Sequence, residues 1–203
     1  MGATASFQQR QSQSASAMKA MVATAMPDYY VRDQATHTHI KIARTSWRMV
    51  YTSDSPAFNV LRTKHGFERG SYSSEEGLYI FKAEFLARLR YLYPDTAMQF
   101  DRSDEVDSPW ILMVANLCLD LLDDAEGTTE HISGFTKMHS ASGVRPHQYG
   151  EVGSVFMWTL RLCLGSFYDA TMDVAWTVLF SSLLRTIVPM AVSNESMAQI
   201  VRK

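Results

Sequence analysis

The stretch KMHSASGVRPHQYGEVGSVFMWTL, residues 137–160, decides how this chain is read. It contains a helix end, a break and a helix start in succession. Within it Ser142-Gly143-Val144-Arg145-Pro146 pairs a glycine with a proline, and proline favours the first turn of a new helix. From Pro146 to Leu164 the residues Val152, Val155, Phe156, Thr159, Leu160 and Cys163 recur at three- and four-residue steps, which is the pattern of one buried helix face. A shorter helix, about Thr129 to His139, leads into the break and leaves one imidazole at its end.

The same period runs outward in both directions. A helix is expected over Thr38–Thr52, with Ile40, Ile42, Ala43, Trp47 and Val50 facing inward. A second is expected over Glu75–Tyr93, carrying Leu78, Phe81, Phe85, Leu86, Leu89 and Leu92, and Pro94 closes it. Asp107-Ser108-Pro109 reads as a helix start, and that helix runs to about Asp123 with Ile111, Leu112, Ala115, Cys118, Leu119 and Leu122 inward. The last helix is expected from Ala170 to Pro189, with Val174, Val178, Leu179, Ser182 and Leu183 along its stripe. No alternating strand pattern and no internal repeat emerge. The chain therefore reads as all-α, with residues 1–35 a flexible N-terminal extension, 36–192 one helical domain and 193–203 a C-terminal tail.

Composition bounds the chemistry. Nineteen Lys and Arg against 21 Asp and Glu give a formal charge of −2, which lacks the basic surplus of a general nucleic-acid binder. An apolar share of 46% supports a real core. Only Cys118 and Cys163 are present, so multi-cysteine metal sites and a disulfide framework are excluded, and both read as small buried hydrophobes. His37 and His39 stand two apart, a spacing that helix geometry points in different directions. No stretch of about 18 uninterrupted apolar residues is present, so no transmembrane segment is expected. Residues 1–27 are rich in Ser, Gln and Ala and hold no acid. A plain disordered extension is the favoured reading there. Two sharper ones compete with it, namely a weak lipid anchor by N-myristoylation at Gly2 and an organelle transit peptide.

His139 stands apart from the other histidines. A lone histidine on pattern alone is more often structural, yet imidazole is also a common axial ligand to haem iron. Residues 137–160 resemble the proximal region of flavohaemoglobins and bacterial single-domain haemoglobins, in which a proximal His precedes a turn with Pro, then a Tyr and a Val-Gly pair. Here these are His139, Pro146, Tyr149 and Val152-Gly153. Phe85-Leu86, Leu92-Tyr93-Pro94, Phe100, Trp47 and Ala175-Trp176 fit other landmarks of the globin family in the same order. The resemblance covers about residues 36–190.

The resemblance implies a globin fold, a three-on-three helical sandwich, with an extended loop between the first two helices over Ser53–Gly77 read as a surface insertion. It implies haem (iron protoporphyrin IX) as cofactor with His139 as the metal ligand. Phe85, Leu86, Phe100, Trp110, Ile111, Val114, Met138, Val144, Tyr149 and Val152 would then contact the cofactor. The distal residue stays open between Asp107 and Trp110, with Trp110 favoured because Asp107 suits a helix cap. No histidine lies between His65 and His131, which excludes closure of the sixth position by a distal-helix histidine. Flavohaemoglobins pair the proximal Tyr with a Glu; the aligned position here is Ala191. The function expected is reversible binding of oxygen or another diatomic gas, for transport or sensing. The alternative is a nitric-oxide dioxygenase served by a separate reductase. A cytoplasmic location is favoured, with an organelle or the membrane periphery as the other reading of the N-terminal segment.

Overall fold

The computed structural model describes residues 15–67, 74–101, 110–120 and 125–201. Gly2, Asp107, Ser108, Pro109 and the acidic pair Asp123 and Asp124 lie outside the described residues. Nine helices and one 3-10 turn are present among the described residues, and no strand. They are α1 (residues 15–24), α2 (His37–Thr52), α3 (Pro56–Lys64), α4 (Ser74–Leu92), α5 (Pro94–Asp101), α6 (Trp110–Asp120), α7 (Ala125–Ala141), α8 (Pro146–Leu164) and α9 (Ala170–Val201), with the 3-10 turn at Gly165–Phe167.

Local chemistry sets the helix starts. At α2 the Thr36 hydroxyl accepts from the His39 backbone N–H, and His39 Nδ1 accepts from the Thr36 N–H at 3.2 Å. This reciprocal cap gives His39 a structural task. At α3 Ser55 caps Phe58 and Pro56 occupies the first turn. Pro146 does the same for α8, where the Gln148 side chain accepts from the Arg145 N–H at 2.7 Å.

Helices α2, α6 and α7 form one layer and α4, α8 and α9 the other, with α9 touching α2, α6, α7 and α8. An aromatic core holds the layers together. Trp47, Phe81, Phe156, Trp176 and Phe180 are all buried, and Phe156 stands 5.2 Å from Phe81, Trp176 and Phe180 by ring centroids. The Trp176 indole N–H donates to the buried Ser46 hydroxyl at 2.9 Å, so this buried donor is satisfied. Cys118 and Cys163 are free and buried, as expected.

Several expectations change, among them Leu92 of α4, which is 40% exposed rather than inward. The connection between the first two long helices carries α3, whose Phe58 is fully buried and whose Arg62 and Leu61 are nearly so, so one face of it is core rather than surface. Lys64 and His65 both reach Glu84 of α4, and Arg62 pairs with Glu76 at 2.8 Å. Helix α9 continues through Pro189 to Val201. A proline removes one helical hydrogen bond, but Val188, Ala191 and Val192 on either side are buried, and their packing keeps the helix going. Val174 is 55% exposed, because the inward stripe of α9 begins one residue later at Ala175 and Trp176.

By length and apolarity alone, Ala170–Met197 could cross a membrane, yet 67% of its apolar window is buried inside the fold. The sandwich accounts for that apolarity.

Candidate functional site: a histidine on an apolar cavity

The end of α7 is built to present one side chain. Gly143 adopts φ +89°, a left-handed conformation that costs glycine little, and the Val144 N–H reaches back to the His139 carbonyl at 2.9 Å while the Gly143 N–H reaches Ser140. This cap stops α7 and reverses the chain into α8. The reversal brings Tyr149 and Val152 of α8 opposite His139.

His139 is half-buried. Its Nδ1–H donates to the Phe135 carbonyl one turn earlier at 2.9 Å. Among the described residues no hydrogen bond engages Nε2. That leaves the Nε2 lone pair as the ring's available ligating atom. Burial lowers the imidazole's pKa, outweighing the opposite pull of the Phe135 carbonyl, so the ring is neutral at pH 7. The Phe135 ring lies against it, centroids 3.8 Å apart and tilted 46°.

His139 stands on a cavity of about 350 Å³, in the range of small-molecule and cofactor pockets. Helix α5 contributes Thr96, Gln99 and Phe100; α6 contributes Met113, Val114 and Leu117; α7 contributes Phe135 and Met138 beside His139. Ser142 and Val144 close the turn, Gln148, Tyr149 and Val152 come from α8, and Phe180, Leu183, Leu184 and Ile187 from α9. The walls are mostly apolar. A buried polar patch joins α5 to α8: Gln148 Nε2–H donates to Thr96 Oγ1 at 2.9 Å, and the Thr96 hydroxyl donates to Glu151. The Tyr149 hydroxyl is buried without a hydrogen-bond partner among the described residues, and burial raises its pKa.

Of the residues expected at the site, the fold gathers His139, Phe100, Val114, Met138, Val144, Tyr149 and Val152 on this cavity. Phe85 and Ile111 are buried in the core beside it, with Phe85 edge-on to Phe100 at 6.2 Å between centroids. Leu86 is half-buried against the core and lines no part of the cavity. Trp110 is placed as the first residue of α6, one turn before Met113 and Val114. Asp107 lies outside the described residues.

The sequence reading missed Thr96, Gln148 and Phe135, and the α9 group of Phe180, Leu183, Leu184 and Ile187. Helical period marks Leu183 of α9 as inward-facing, but period alone does not tell a solid core from a cavity wall. Gln148 carried a signal, standing three residues after the helix-start residue Arg145 where a capping Gln belongs.

No protein-family model matches the chain. Neuroglobin of Tetraodon nigroviridis is 27% identical over 71 residues, which are 35% of this chain and 45% of that protein. Neuroglobin of Chaenocephalus aceratus is 28% identical over 71 residues, with the same shares covered. The chain spans less than half the length of these relatives. The likeness supports a place in the globin family, and with the two-layer helical sandwich the fold is a globin fold.

Proposed function

We propose that this chain is a haem-binding globin that binds a diatomic gas reversibly, with His139 as the axial ligand. One observation carries this reading: a neutral imidazole, its Nδ1–H spent on a backbone carbonyl, stands with Nε2 unengaged on an apolar cavity enclosed by five helices. The donor set fits haem. Haem bound there would be held by His139 and would supply an iron able to bind a diatomic gas.

The chain's own residues would each do a definite part. The Phe135 carbonyl fixes which ring nitrogen of His139 carries the proton. Val144, Val152 and Leu183 provide the dry contacts that a porphyrin face requires, and Phe100 adds an aromatic ring held edge-on by Phe85. Met113, Val114 and Leu117 of α6 carry no N–H or O–H, so this wall has no side-chain donor to retain a polar ligand. Trp110, one turn earlier on the same helix, is the candidate for such a donor through its indole N–H.

By the resemblance Tyr149 would match the flavohaemoglobin proximal tyrosine, but among the described residues its hydroxyl has no partner, and position 191 is a buried alanine. This favours reversible binding over dioxygenase turnover with a separate reductase. A cytoplasmic setting is part of the same proposal; the lipid anchor at Gly2 is not required by it.

Reconstitution with haemin tests the reading. A Soret band with a one-to-one endpoint and a reversible carbon monoxide adduct in the reduced protein is expected. A titration that shows only free haemin would sink the proposal.

A further inference from the structure

The residues ahead of α2 pack closely on the two helices that form one wall of the cavity. Pro27 and Tyr29 lie on α8 at two glycines one turn apart. A Cβ added at Gly150 would stand 3.0 Å from Pro27 Cδ, and one at Gly153 only 2.2 Å from the Tyr29 hydroxyl oxygen. A side chain at Gly153 would have to displace the Tyr29 hydroxyl, and one at Gly150 would press on the Pro27 ring. The Tyr29 hydroxyl donates to the Gly150 carbonyl at 3.2 Å. Further along, the Val31 N–H donates to the buried Ser181 hydroxyl at 3.0 Å. Arg185 donates to the Val31 carbonyl at 3.3 Å and to the Asp33 carbonyl at 2.9 Å. At the other end Ala25 is buried with Leu184, Val188 and Val192 of α9, with Met18, Val22 and Met26 packed around them.

Two residues face both ways. Leu184 lines the cavity and belongs to the cluster around Ala25; Tyr149 lines the cavity and packs against that same cluster. The segment is thus the outer layer of a wall whose inner layer is the pocket.

We infer that residues 25–33 are a strap belonging to the haem pocket, and that Tyr29 is a positioning residue that holds Tyr149 and Leu184 in place. The inference rests on the haem reading above. Its physical basis is directional: the strap is fixed by hydrogen bonds to named groups on α8 and α9, so its place is specified in a way that apolar contact alone does not achieve. Loosening it uncovers Leu184, Val188 and Val192 and lets water reach the back of a wall that a porphyrin needs dry.

The test uses the full chain loaded with haemin and measures haem loss to excess haem-free myoglobin, alongside amide hydrogen exchange of the haem-free protein. Tyr29→Ala should speed haem loss about tenfold and raise exchange in residues 149–153 and 183–188. Tyr29→Phe, which keeps the ring and loses only the bond to Gly150, should restore the rate to within about fivefold. Ile80→Val, a core change away from the strap, should leave haem loss within about twofold even where its unfolding midpoint falls as far. Should Tyr29→Ala fail to fold, Arg185→Gln, which releases the strap carbonyls, serves in its place with the same expectation. Wild-type haem loss together with wild-type exchange in the strap variant overturns the inference, as does an equal acceleration in Ile80→Val. If the unaltered chain takes up no haem, the functional reading fails by itself, and the exchange measurement still decides whether the strap holds this wall.

Discussion

Helices α8 and α9 each have a solid half and a hollow half. The later part of α8 (Phe156, Leu160, Cys163) and the early part of α9 (Trp176, Leu179) are buried in a core where ring meets ring. The early part of α8 (Gln148, Tyr149, Val152) and the middle of α9 (Leu183, Leu184, Ile187) instead surround about 350 Å³ of space beside His139. Phe180 belongs to both, packing on Phe156 and lining the cavity. The difference shows how one pair of helices can separate two tasks. Close packing at one end supplies stability, since every contact there is gained. The other end forgoes those contacts and keeps a site.

That division can be broken by substitution. The largest effect expected is on ligand retention: His139→Ala should abolish stable haem binding while the haem-free protein unfolds at close to the unaltered urea midpoint, because the half-buried ring is not a core element. A large fall in the midpoint would show that the hollow half also carries stability. Trp176→Ala is the opposite case. It empties a fully buried site while Ser46 keeps its hydroxyl bond to the Ala43 carbonyl, and should cost about 3–5 kcal/mol in urea unfolding.

Glu84→Gln sharpens the boundary by asking whether α3 belongs to the solid half. Burial pushes the Glu84 carboxyl upward, but the hydrogen bonds from Lys64 and His65 outweigh it and hold the carboxyl below its ordinary range. A carboxyl so lowered contributes stability above the ordinary carboxylate pKa and loses it as pH falls through the lowered value. The variant should therefore be less stable by about 1.5–3 kcal/mol at pH 7, with the gap closing in acid. A gap that is constant with pH would assign the loss to packing and not to charge. Smallest is Tyr149→Phe. Its hydroxyl is buried without a partner, so removing it should leave the haem-free protein unchanged or more stable by up to about 1 kcal/mol. A clear loss would reveal a partner for that hydroxyl.

Much of this was legible before the coordinates. The break at Gly143 to Pro146 located the end of α7, the start of α8 and the histidine between them, because glycine and proline act through local backbone geometry. The inward residues of α8 followed from period alone, and so did Phe81, Phe85 and Leu89 of α4, whereas Leu92 is exposed. The α3 helix did not, since a composition of Pro, Gly, Ser and charged residues reads as loop, and only the pocket that receives Phe58 makes it core. Pro189 misled for a related reason: it marks a helix end locally, but buried neighbours carry the helix past it.

By itself the sequence determined most of the long helices, much of their inward faces, a histidine near the end of α7 and the exclusion of multi-cysteine metal sites, all properties set within a few turns of chain. Tertiary structure decided the rest. It selected which inward residues pack solid and which stand back around a cavity, it placed Phe135 and Gln148 at the site, and it laid residues 25–33 across α8 and α9. The reason is that a side chain's period reports only that it leaves water. Whether it meets another side chain or an open space depends on helices far away in sequence arriving at the same place.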